Sequence, residues 1–156
     1  MEIVNPTPGT VETNTNYAGF WRRFGALLID ILILSVPTYF LATLLGDDPN
    51  NRGNQTTGEV EVQYFTIYHG VTFLVNWLYF ALLESSARQA TFGKQAQGLY
   101  VTDTDGRRIT FVKATLRYFG KVISSLTIGI GYIMAAFTAR KQALHDIIAS
   151  TLVLHK

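Results

Sequence analysis

Three apolar stretches separated by polar segments organise the chain. Gly19 to Leu45 opens on an aromatic residue and two arginines and then stays apolar for roughly the ~20 residues a helix needs to cross a bilayer core. One carboxylate, Asp30, interrupts it. At the centre of a membrane helix such a group costs roughly 2.5 to 3.5 kcal/mol on insertion scales, so it calls for a partner. Tyr64 to Leu83 is a second stretch of span length, lined with aromatics, with Glu84 at its exit. His69 and Asn76 lie seven apart in it, near one helical face, and are expected to hydrogen-bond to neighbouring helices. Val122 to Phe137 is apolar but short for a straight span, and it holds Gly129 and Gly131. A third simple span would put Arg140 and Lys141 outside. A helical hairpin turning near Gly129 keeps them with the other basic residues, and is preferred.

The polar segments set the expected orientation. Met1 to Asn16 has Pro6, Pro8, Gly9 and no apolar period, which predicts a disordered tail before a domain over 17–156. Arg22 and Arg23 precede the first span beside Tyr17, Phe20 and Trp21, the pattern of a cytoplasmic start with an aromatic belt. The run that follows is too long, and too charged at Asp30, for a twin-arginine signal. Gly46 to Gln63 is turn-rich and acidic, suiting an external loop. Arg88, Lys94, Arg107, Arg108, Lys113, Arg117 and Lys121 mark 84–121 as cytoplasmic. Within it, Gly98 to Thr110 alternates around Asp105-Gly106 and predicts a short β-hairpin.

Lys113, Arg117 and Lys121 recur every four residues among apolar neighbours, giving a helix with one basic stripe. Its outer lysines suit headgroup contact. Arg117 is a candidate counter-ion for Asp30, in competition with Arg23 and His145. The closing RKQALHDIIASTLVLHK places Leu144, Ile147, Ile148 and Leu152 at helical spacing and predicts an amphipathic segment docked on the bundle.

Composition narrows the function. Of 156 residues 48% are hydrophobic and 15% charged, with mean hydropathy +0.19, against roughly 25% charged in soluble domains. The absence of cysteine excludes disulfides and thiolate chemistry. A net charge of +2 gives no case for nucleic acid. Histidines at 69, 145 and 155 have no metal-ligand spacing, and TFGKQ lacks the glycine spacing of a phosphate loop, so no metal or cofactor is expected. His145 and Asp146, adjacent on a helix, project about 100° apart and make no catalytic pair. Ser124 and Ser125 are expected to bond back to their own helix. No enzyme is indicated.

Three blocks carry a family resemblance: FWRRFGALLID with Arg23 and Asp30, TFGKQAQGLYVTDTDGRR (Thr91 to Arg108), and RKQALHDIIASTLVL (Arg140 to Leu154). They resemble the RDD family of small prokaryotic membrane proteins, named for one arginine and two aspartates. Arg23 and Asp30 match directly, and Asp146 supplies the third letter, with Asp103 as its competitor. The resemblance implies cation/proton exchange or assistance to other membrane proteins. The expected fold is an all-α membrane protein, a small transmembrane bundle of three spans, or four with a helical hairpin near 111–137, carrying a short cytoplasmic β-hairpin. The expected site is a charge cluster of Arg23, Asp30, Asp146, Arg117 and His145 in the cytoplasmic membrane of a bacterium. A monovalent cation and a proton, lipids, a second copy or another membrane protein are its expected partners.

Overall fold

The first long apolar stretch folds as one helix, α1 (Phe20–Leu44), continuous through Pro37. Its inward face is a narrow stripe of Ala26, Asp30 and Leu34 at four-residue spacing, whereas Trp21, Leu32, Val36 and Phe40 are exposed. Only 17% of its most apolar stretch is buried within the chain, so α1 has the length and composition of a membrane span rather than the packing of a soluble core helix. The structure is a computed structural model that describes residues 16–44, 58–126 and 130–156. The expected tail up to residue 15, the loop from 46 to 57 and the Gly129 turn lie outside them.

α2 (Gly58–Ser85) starts six residues before the predicted second stretch. It leads through a turn into a short α3 (Phe92–Ala96), capped by the Thr91 hydroxyl, which accepts from the Lys94 amide. β1 (Leu99–Asp103) follows, then α4 (Phe111–Leu126), α5 (Ile130–Phe137), α6 (Leu144–Ile148) and β2 (Thr151–His155). The chain is mostly helical with a small sheet.

The predicted hairpin is corrected in its pairing. The main partner of β1 is β2, antiparallel from Leu99 opposite His155 to Asp103 opposite Thr151. The Asp105-Gly106 turn is present, with Gly106 in left-handed backbone at φ 78°, but it closes only one bridge, Thr102 with Arg108. Asp103 holds it by accepting from the amides of Asp105 at 2.9 Å and Arg107 at 2.8 Å. On its other edge β2 meets the residues before α1: Tyr17 bridges Leu154, and the Ala18 amide donates to the Val153 carbonyl at 2.9 Å. The predicted C-terminal amphipathic helix is likewise corrected. It is one helical turn followed by a strand, separated at Ser150, which has φ 50°. Ala18, Leu99, Val101, Ile109 and Val153 form the core under this sheet, joined by Ala26, Ala81 and Ala114 from the helices, with Trp77 packed against them.

α4 and α5 are bent by 104°. α5 brings the chain back to the arginine end of α1, where the Lys141 carbonyl accepts from Arg23 Nη2 at 2.6 Å. Gln142 bonds the Thr151 carbonyl at 2.9 Å, fixing this return against β2. α4 turns its polar stripe inward: Arg117 and Ser124 are buried, and Leu116, Phe119, Ile123 and Leu126 are exposed. Water would reverse that arrangement, and a lipid surround favours it.

Candidate functional site

Arg117, on the inner face of α4, is the hub of a buried charge network. Its Nε lies 3.0 Å from Glu84 Oε2 of α2, and its Nη2 lies 2.9 Å from Asp146 Oδ1 of α6. Its Nη1 donates to Thr151 Oγ1 of β2 at 2.8 Å. Asp146 also pairs with Arg23 of α1 through Oδ2, the oxygen that accepts from the Ala143 amide at 3.1 Å and so caps its own helix. Glu84 Oε1 takes both Lys94 Nζ of α3, at 2.6 Å, and Lys121 Nζ of α4, at 2.9 Å. Lys121 also sits 3.9 Å above the Phe80 ring. Two carboxylates thus tie four cations from two helices, α1 and α4, and the short α3 turn. Both carboxylates are fully buried, so removing a partner would leave an uncompensated charge.

Asp30 stands beside this network and outside its ion pairs. Its Oδ1 accepts from the Tyr79 hydroxyl at 2.7 Å and the Gly93 amide at 2.8 Å, and its Oδ2 accepts from Thr91 Oγ1 at 2.6 Å. All three donors are neutral. Gly93 is required for this approach, because a Cβ there would lie 2.1 Å from the Ala26 carbonyl oxygen and 2.8 Å from Asp30 Cγ. Asp30 therefore docks the α3 turn onto α1.

The expected pairing of Arg117 with Asp30 is corrected, since Arg117 serves Glu84 and Asp146. So is the convergence of Arg23, Asp30 and Asp146 into one cluster: Arg23 and Asp146 meet, and Asp30 is held separately. His145 packs against Asp146, with Nε2 3.5 Å from Oδ1, and not against Asp30. Its Nδ1 is buried with no hydrogen-bond partner among the described residues. Burial first, with help from the Arg117, Lys121 and Lys94 charges and against Asp146, pushes its pKa down to about 3, so it is neutral near pH 7. For Asp146, burial alone would raise the carboxyl. The surrounding cations, Arg117 foremost, outweigh it and hold the group well below the usual carboxylate range. Burial lowers the Lys94 ammonium to about 7, against the pull of Glu84. Asp103, the competitor for Asp146, caps a surface turn and pairs only loosely with Lys113, at 4.0 Å.

Three members of the network, Glu84, Lys94 and Lys121, are absent from the expected site, Lys121 having been expected at the headgroups. The available signal was the same that marked Asp30: Glu84 closes an apolar run. Lys94 sits in the TFGKQ block, where rejecting a phosphate loop left its charge unassigned. Asn76 of α2 also differs from expectation, since it donates back to the Thr72 carbonyl at 2.8 Å. Ser124 and Ser125 do bond back, to the carbonyls of Gly120 at 2.8 Å and Lys121 at 3.0 Å.

A small helical protein with exposed apolar helix faces and a buried network joining its two long helices, its return segment and its C-terminal strand has the make-up of a membrane protein of few elements. The profile of the RDD family matches residues 17–150, and the chain belongs to that family. It is similar to the uncharacterized protein YxaI of Bacillus subtilis (strain 168), 38% identical over 152 residues, which cover 89% of this chain and 97% of that one. The uncharacterized membrane protein YteJ of the same organism is 36% identical over 160 residues, covering 99% and 90%. The uncharacterized protein YckC, also of that organism, is 31% identical over 144 residues, covering 88% and 84%. No solved structure matches the chain.

Proposed function

We propose that the protein is a non-catalytic accessory component of the cytoplasmic membrane, whose charge network is a clamp holding α4, α6 and β2 in register against α1 and α2. What carries this reading is the compensation of both network carboxylates. Glu84 has three cationic partners and Asp146 has two arginines, and Asp30 shares no site with either. Proton-coupled exchange uses a carboxylate that changes charge near neutral pH, usually through burial or a second carboxylate. Asp146 is pushed the other way. The long, exposed apolar faces of α1 and α4 suit packing against lipid or another membrane protein.

Cation/proton exchange is the second reading, favoured by one observation: Asp30 and Arg23 both line a single internal cavity. Proteoliposomes separate the two. Purified protein is expected to give no sodium- or potassium-driven proton flux above empty vesicles. Flux that Asp30→Asn abolishes while thermal stability in detergent is kept would replace the clamp with the exchanger.

A further inference from the structure

The network leaves donors unused, and it leaves them facing a cavity. Lys94 and Lys121 each carry an ammonium with three N–H donors, and among the described residues one atom, Glu84 Oε1, is the hydrogen-bond acceptor of both. Lys94 is 8% exposed. Both lysines line a cavity of about 280 Å³, with Arg23, Arg117 and Asp30 also on its wall. Four cationic side chains, Arg23, Lys94, Arg117 and Lys121, line it against one carboxylate, Asp30, so its charged lining is predominantly basic. The rest of its wall is mostly apolar, with Tyr132 and His145 the polar exceptions, and two lining residues, Phe24 of α1 and Ile133 of α5, are also exposed, 42% and 47%. The cavity thus lies beside α1 and α5, at the end of α1 that carries Arg23.

From this geometry we propose that the cavity is a binding site for the oxyanion headgroup of an anionic phospholipid, with its acyl chains lying outside along α1 and α5. An oxyanion supplies several acceptors at once to ammoniums that a lone carboxylate oxygen cannot satisfy. The cavity is just under the roughly 300–1,000 Å³ of common small-molecule sites, which suits a headgroup and excludes a whole lipid. Basic pockets between membrane helices near the cytoplasmic surface are where such headgroups are recognised. A cation is the wrong ligand for a wall with this charge. The site stands whether the protein is an accessory component or an exchanger.

The test titrates delipidated, detergent-solubilised protein with phosphatidylglycerol, with phosphatidylcholine of the same chains, and with inorganic phosphate, reading bound mass by native mass spectrometry and the shift in Tm. Phosphatidylglycerol is expected to bind at least tenfold tighter than phosphatidylcholine and to raise Tm, and inorganic phosphate is expected to do neither at equal concentration. Lys121→Gln is expected to weaken phosphatidylglycerol at least fivefold. Ile133→Trp, which enlarges a side chain on the cavity wall and leaves every charged residue in place, is expected to do the same, so a folding defect at Lys121 does not decide the matter. Equal binding of the two lipids overturns the proposal, as does full affinity in Ile133→Trp. Phosphate binding as tightly as phosphatidylglycerol overturns the lipid and makes the ligand a free oxyanion.

Discussion

Asp146 and Asp30 are both buried carboxylates, yet their surroundings predict different consequences for the same substitution. Asp146→Asn leaves the buried Arg117 and the mostly buried Arg23 facing an uncharged group, and breaking buried pairs of this kind costs about 3–5 kcal/mol. Asp30→Asn removes a charge whose three donors are neutral. An amide oxygen still accepts from some of them, so the cost is about 1–3 kcal/mol. Thermal unfolding in one detergent is expected to rank Asp146→Asn well below Asp30→Asn, and the reverse order would remove the clamp from Asp146. His145 gives a pH signature at the same site. Its folded pKa of about 3 lies under the ordinary 6.5, so between those values the unfolded chain holds a proton that the folded chain does not. Stability then rises with pH across that window and is lost on acidification, by up to about 1.4 kcal/mol per pH unit. Asp146, with its lowered pKa, adds stability that is present above pH 3.8 and is lost as pH falls below it. In His145→Gln the loss beginning near pH 6.5 is expected to vanish while the one below pH 3.8 stays. An unchanged acid profile would place the titration elsewhere. Arg23 and Asp146 were legible as partners through the family resemblance, which implied a cluster containing both. Asp30's partners were not, since a tyrosine, a threonine and a backbone amide carry no charge to betray them.

At the level of elements, periodicity revealed the stripes and not always their direction. Lys113, Arg117 and Lys121 on α4 read as one basic face, a pattern equally compatible with headgroup contact and with burial. Burial wins for Arg117 and Lys121 because Glu84 and Asp146 wait on the neighbouring elements, and Lys113 remains near the surface with Asp103. The C-terminal segment misled for another reason. Over a few residues, apolar spacings of three or four and of two overlap, and a left-handed backbone at Ser150 lets the chain change from helix to strand where the spacing alone continued a helix. β2 then pairs with a strand about fifty residues earlier, a contact that local pattern cannot announce. The inverted face of α4 predicts that its outer residues meet lipid. Leu116, 47% exposed, would tolerate lysine within about 0.5 kcal/mol on a water-facing surface. A lysine toward the hydrocarbon costs roughly 2.5 to 3.5 kcal/mol at its centre, less near the interface. Leu116→Lys is therefore expected to lower the yield of membrane-inserted protein and its Tm. Wild-type behaviour would put the outer face of α4 in water.

The whole molecule is constrained by which segments touch. Tyr17 bridges Leu154, and β1 pairs with β2, so residues 17, 99–103 and 151–155 occupy one side of any membrane that α1 crosses. Lys141 joins them through Arg23. These contacts fit a return between β1 and Lys141 better than a third simple span. α5, with eight residues at 1.5 Å each, is about 12 Å long, far short of a ~30 Å hydrocarbon core. A re-entrant α4–α5 pair that dips in and comes back fits both constraints. The sequence could signal the return through the cost of exposing Arg140 and Lys141, but the strand pairing that enforces it is long-range. Because the chain has no cysteine, single cysteines report sidedness directly. Thr43→Cys at the far end of α1 is expected to react with an impermeant maleimide from outside intact cells, and Arg88→Cys and Lys141→Cys only after the cytoplasmic side is opened. All three positions are exposed, so a failure to label reflects sidedness rather than packing. If Lys141→Cys labels from outside while Arg88→Cys does not, α4 and α5 cross as one span, and the ion network cannot join Arg23 to Asp146 as described.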